Sequence, residues 1–115
     1  TGAVIERGSN ANGDYVRFAD GTQICTRLNF LDADVAAGVE GDGLWTFPAA
    51  FTTGTSVVTP TVASLGVAAS MIAAARHLRC AAQPGISTNA IIGWRNDGPA
   101  SLRFRINLTA IGRWF

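Results

Sequence analysis

The chain contains no lysine, so all nine of its basic residues are arginine. Histidine, methionine and tyrosine each occur once and cysteine twice in 115 residues. A single histidine, His77, removes any two-histidine metal spacing, and Cys25 and Cys80 are too far apart for a metal-binding pair. These two thiols can form one disulfide or remain as two buried free cysteines. No local motif supports nucleophilic catalysis: Gly-x-Ser-x-Gly is absent, and a Ser–His–Asp or Cys–His arrangement could arise only through the fold. The acids do not form an obvious converging pair of the kind glycoside hydrolysis needs. No apolar run approaches the ~20 residues that cross a bilayer, and no stretch has the plan of a signal peptide. A net charge of +1 is far from the basic excess of a nucleic-acid binder. The composition therefore predicts a non-enzyme with no cofactor, no metal, no nucleic-acid partner and no membrane insertion.

What is present is turn-forming and apolar. Thirteen glycines and four prolines punctuate a chain that is 48% hydrophobic and 15% charged, which is one globular domain rich in β-structure. The first residue is Thr1, which reads as a domain cut from a longer protein. Charge is divided unevenly. Residues 1–57 hold three arginines against seven acids and residues 58–115 hold six arginines against Asp97 alone. The two halves either neutralise each other within the fold or do so between subunits.

The opening "TGAVIERGSNANG" reads as a short apolar element and a polar loop, so residues 1–13 are assigned as an N-terminal connector and 14–115 as the domain. Either Val4 and Ile5 pack around a symmetry axis or the segment is a free arm. "YVRFADGTQICTRLNF" predicts a β-hairpin with a two-residue turn at Asp20-Gly21. The acidic, glycine-rich "LDADVAAGVEGDGL" predicts a long surface loop. Val57, Val58 and Val62 suggest a strand between prolines. "GVAASMIAAARHLRCAA" is ambiguous, since its alanines favour helix while its setting favours strand, and strand is preferred. "ISTNAIIGW" reads as a strand entering the loop "RNDGPA". In the last element Leu102, Phe104, Ile106, Leu108 and Ala110 alternate with Ser101, Arg103, Arg105, Asn107 and Thr109, a strand with one buried face. The fold class is all-β, a small antiparallel β-sandwich.

Two stretches carry a resemblance. "GSNANGDYVRFADGTQIC", Gly8 to Cys25, resembles the segment that opens the C-terminal receptor-binding domain of tailed-phage tail fibres, and "AIGRWF", Ala110 to Phe115, resembles its end. "WTFPAAF" and "VVTPTV" lie in order between them. The order "FP…VV…WRND…LRFRINLTAI" is also similar to H-type lectins, which implies about six strands, a homotrimer and a sugar site between subunits. In those lectins a Trp, a His and an Asn follow one another at a strand end. Trp94 and Asn96 match, and Arg95 stands where the histidine would be. Ungapped counting back from Trp94 to the family's arginine lands on Ala74, with Arg76 and Arg79 nearby, and Arg76 is taken as the candidate. The resemblance implies a virion protein at the tail-fibre tip whose partner is a bacterial cell-surface glycan or lipopolysaccharide.

The candidate site is therefore Trp94, Arg95, Asn96, Asp97 and Arg76. A sugar offers an apolar C–H face and a rim of hydroxyls, so its site needs an aromatic plate with fixed donors and acceptors. Trp94 supplies the plate and its three polar successors the rest. The competing reading is that Trp94 closes the sandwich and the polar trio makes a turn before Gly98-Pro99. Arg103, Arg105 and Arg113 on the last strand are either a solvated face or the partner of a neighbour's acidic loop (Asp32, Asp34, Glu40, Asp42). A cap that ends a fibre without its own ligand and a fragment of a polysaccharide-degrading spike are the alternative roles.

Overall fold

In a computed structural model the described residues are 3–52, 56–64, 78–82, 86–99 and 101–115. They form eight β-strands: β1 Val4–Asn10, β2 Gly13–Phe18, β3 Thr22–Val35, β4 Glu40–Thr46, β5 Val57–Ser64, β6 Leu78–Ala82, β7 Asn89–Asn96 and β8 Leu102–Arg113. There is no helix among the described residues. Five strands make one antiparallel sheet in the order β1-β2-β3-β8-β5, and three make a second in the order β4-β7-β6. The all-β class stands, with eight strands where about six were expected.

The alternation in β8 is realised. Ile106, Leu108 and Ala110 are buried, while Arg103 and Ile111 face outward. The core lies between the sheets, where Cys25 and the β8 residues meet Trp45, Ala90 and Ile92. Trp45, Phe47 and Phe51 form a run of edge-to-face rings at 5.0 and 4.9 Å, a geometry that aligns ring edges with ring faces. β5 carries Pro60 and lies at a sheet edge, where a missing N–H is tolerated.

Three expectations change. The opening segment is not a loop, because Val4–Asn10 pairs with Gly13–Phe18 as a hairpin. Asn10 Oδ1 accepts from the Asn12 N–H at 2.9 Å, and Gly13 takes a φ of 131° that a side chain would oppose. The turn at Asp20-Gly21 is longer than two residues. Gly21 N–H donates to Phe18 O at 3.1 Å, and only Gly21 has a positive φ. The acidic stretch is largely strand, since β3 runs on to Val35 and β4 begins at Glu40. Two of its four acids pair within the chain: Asp32 takes Arg103 at 3.0 Å and Arg105 at 3.5 Å from the neighbouring strand, and Glu40 takes Arg95 at 3.5 Å. Of the ambiguous stretch, Leu78–Ala82 is strand β6, and residues 65–77, with Arg76 and His77, lie outside the described residues. Both cysteines are free thiols.

The segments Gly8–Cys25 and Ala110–Phe115 meet in space. Thr22 to Cys25 pair with Arg113 to Ala110 across β3 and β8. Trp114 donates from Nε1 to Phe18 O at 2.9 Å, and Arg113 donates to Asp20 O at 2.9 Å. The Arg17 guanidinium sits 5.1 Å from the Trp114 ring and 5.5 Å from Tyr15, and its Nε donates to the buried Gln23 at 2.7 Å. Gln23 in turn donates to Ala49 O at 3.0 Å and Ala50 O at 3.1 Å. The two motifs thus form one structural lock at the end of the larger sheet.

Candidate functional site

The sheet β4-β7-β6 carries an open cleft of about 990 Å³. Antiparallel pairing sets its floor in rows. Arg79, Arg95 and Glu40 lie side by side across β6, β7 and β4, and the next row is Ala81, Gly93 and Asp42. Cys80, Trp94 and Gly41 form a row of the opposite parity. All of these residues border the cleft. Gly93 leaves its middle flat, and a Cβ there would meet only Gly41 O, at 3.9 Å.

Of the sequence-predicted residues, Arg95 and Asp97 are joined by an ion pair, Trp94 and Arg95 both border the cleft, and Trp94 and Asn96 lie on the opposite face of β7 from Arg95. Because β7 extends to Asn96, strand alternation sends consecutive side chains to opposite faces. Trp94 and Asn96 share the face of buried Ala90 and Ile92, whereas Arg95 is exposed with Ile91. Asn96 is 0% exposed. Its amide donates to Val35 O at 2.8 Å and its Oδ1 accepts from Gly98 N–H at 2.9 Å. These bonds hold the turn that follows the strand. Arg76 lies outside the described residues.

Trp94 is neither core nor free plate but a half-buried wall. Its indole lies over Gly41, where an added Cβ would come within 2.9 Å of Cζ2 and 3.1 Å of Nε1. Its edge meets Phe30 at 6.4 Å and 77°, and Phe30 reaches that place from a bulge in β3 where Asn29 has a positive φ of 57°. The other two tryptophans have bonded N–H groups, Trp45 to Asn12 O and Trp114 to Phe18 O. The Trp94 Nε1–H has no partner among the described residues and is not a buried atom.

Beside it lies a chain of charges. Asp97 accepts from Arg95 Nε at 2.7 Å and pairs through its other oxygen with Arg79 Nε. Arg95 Nη1 reaches Glu40 at 3.5 Å. Desolvation pushes the thiol of Cys80 up, which keeps it protonated and weakly nucleophilic at neutral pH. Among the described residues no group of three or more His, Cys, Asp or Glu could hold a metal ion.

Sequence reasoning missed Arg79, Glu40, Asp42 and Gly41 as members of this site. Arg79 had a signal, its closeness to the position counted back from Trp94. The β4 residues had none, because their place beside Trp94 depends on the pairing of β4 with β7.

No protein-family profile and no curated protein matches the sequence. The fold does match solved structures. The chain superposes on an N-truncated R1-type pyocin tail fiber with a TM-score of 0.69 at 23% identity, over 96% of this chain and 88% of that one. A longer P. aeruginosa R1 pyocin fiber fragment gives the same score and identity, with 29% of its length covered. The fold of this chain is that of a C-terminal piece of a pyocin tail fibre.

Proposed function

We propose that this domain is the receptor-binding tip of a tail fibre, which attaches a phage or phage-tail-like particle to a bacterial surface by recognising a carbohydrate-bearing receptor without bond chemistry. The tail-fibre fold supports the placement on a particle. The observation that carries the binding reading is the indole N–H of Trp94, which has no partner among the described residues, at an open cleft that Arg79 and Arg95 also border. A saccharide supplies both an apolar face for the ring and oxygen acceptors for such donors. As a homotrimer with an H-type-lectin-like plan, the domain presents three cleft copies on one rigid body. Simultaneous engagement then raises avidity by ~10²–10⁴ over a single weak site.

The test is binding of the isolated, fluorescently labelled domain to a panel of bacteria and to their purified surface polysaccharides, alongside Gly93→Leu. Position 93 has open space above it, so the leucine is accommodated by the fold and covers the cleft floor. Binding by the parent domain and its loss in Gly93→Leu are expected. No binding to any surface refutes the reading and leaves a fibre-ending cap. Release of saccharide fragments during incubation overturns the non-catalytic mechanism.

A further inference from the structure

Resting on the homotrimer of that reading, we infer that copies of this chain pack on one another through the outer face of the five-stranded sheet, along an apolar stripe that follows the threefold axis. The stripe is one cross-strand row. Val16 on β2 pairs with Ile24 on β3, Ile24 with Ile111 on β8, and Ile111 with Val57 on β5. The chain neighbours Cys25 and Ala110 are buried in the core, so strand alternation turns the row to the opposite side. Val57 is 68% exposed and Ile111 48%, and Val16 and Ile24 are partly exposed. Single apolar side chains on a surface need no cover, whereas larger contiguous patches mark interaction sites.

A second copy is the occupant that the charges favour. Residues on a symmetry axis meet their own equivalents, so a charge placed there meets like charges. The row carries none from β2 to β5. One flanking row runs from Asp14 through Thr26 to Thr109, and the other pairs Thr22 with Arg113. Rotation about an axis along the stripe sets the first flank of each copy against the second flank of the next, acidic side to basic side. Arg7 ends the row on β1. It has no partner among the described residues, and the same rotation brings it toward the next copy's Asp14. The outer face of the smaller sheet lacks this property, because Glu40, Asp42, Arg79 and Arg95 stand on it and would oppose their own copies. The cleft on that sheet therefore points away from the axis, and each chain holds a complete one.

The experiment is analytical ultracentrifugation of the domain and three variants, each checked by circular dichroism. Val57→Glu and Ile111→Glu put a carboxylate on the stripe at exposed positions, where the fold accepts it. Leu44→Glu is the control, 58% exposed and paired with Ile91 on the smaller sheet. The parent and Leu44→Glu are expected to sediment as trimers, and both stripe variants at a third of that mass. Oligosaccharides cut from the surface polysaccharide of a strain that the parent binds give the affinity of a single cleft. That affinity is expected to be unchanged in the monomeric variants, while their attachment to whole cells falls by ~10²-fold or more. A monomeric or dimeric parent, stripe variants that remain trimeric, or a Leu44→Glu that dissociates overturns the interface and leaves cleft binding standing. Monomers that lose the single-cleft affinity overturn the outward-facing, complete cleft. A trimer that behaves as expected but attaches to no bacterium supports the interface and refutes the receptor-binding reading.

Discussion

Replacing Gly41 with alanine tests the geometry of the cleft without removing any of its polar groups. The new Cβ stands 2.9 Å from Trp94 Cζ2 and 3.0 Å from Cε2, whereas carbon atoms settle at about 3.5–4.0 Å. The indole must therefore move by roughly 0.5–1 Å. In a closed core such crowding costs about 1–3 kcal/mol. Here Trp94 borders an open cleft and can swing outward, so most of that cost is avoided. The alanine also lowers the entropy of the unfolded chain, which favours the fold by about 0.4–1 kcal/mol. The two effects nearly cancel, and stability measured by urea unfolding is expected to change by less than about 1 kcal/mol. Binding sites tolerate only about 0.5 Å of displacement, so Gly41→Ala is expected to move the Trp94 indole resonance and weaken attachment to cells about tenfold. An unmoved resonance with unchanged attachment would refute the packing of Trp94 on Gly41 and its place in the site. A loss of several kcal/mol would show instead that Trp94 is locked into the core.

Two further predictions concern the lock behind the hairpin and the buried thiol. Gln23→Leu leaves the carbonyls of Ala49 and Ala50 and the Nε of Arg17 without their partner, and urea unfolding is expected to show a loss of roughly 2–4 kcal/mol. A loss below about 0.5 kcal/mol would mean that water replaces the amide. Burial pushes the Cys25 thiol from 9.0 up to about 11. A raised value in the folded state means that stability is whole below pH ~9 and is lost as pH climbs toward 11, by roughly 2–3 kcal/mol. Thermal melts across that range should show a steeper alkaline fall in the parent than in Cys25→Ala, which keeps only the contribution of the other raised groups, Cys80 among them. A parallel fall in both would place its origin elsewhere.

Where the sequence repeated a simple period, the fold was legible. Ile106, Leu108 and Ala110 alternate with polar residues, and that stripe lies in the core. Strand β4 was hidden because Gly41, Gly43, Glu40 and Asp42 look like a loop. Its glycines are instead covered by the rings of Trp94 and Phe30, which supply the packing that β4 lacks. The candidate site was half legible. Trp94 and Arg95 border one cleft and Asp97 pairs with Arg95, but treating four successive residues as one constellation assumed that the strand ended at Trp94. It continues to Asn96, and alternation splits the group. Asn96 is buried at the turn, and Arg79 borders the cleft beside Arg95, which only the pairing of β6 with β7 reveals.

The central claim is that attachment passes through the Trp94 cleft, and adsorption of the labelled domain to whole bacteria tests it most directly. Trp94→Ala and Arg95→Ala, each shown by circular dichroism to be folded, are compared with the parent domain on a strain that the parent binds. Trp94→Ala is expected to abolish adsorption and Arg95→Ala to weaken it severalfold. Adsorption of both variants at the parent level would contradict that claim.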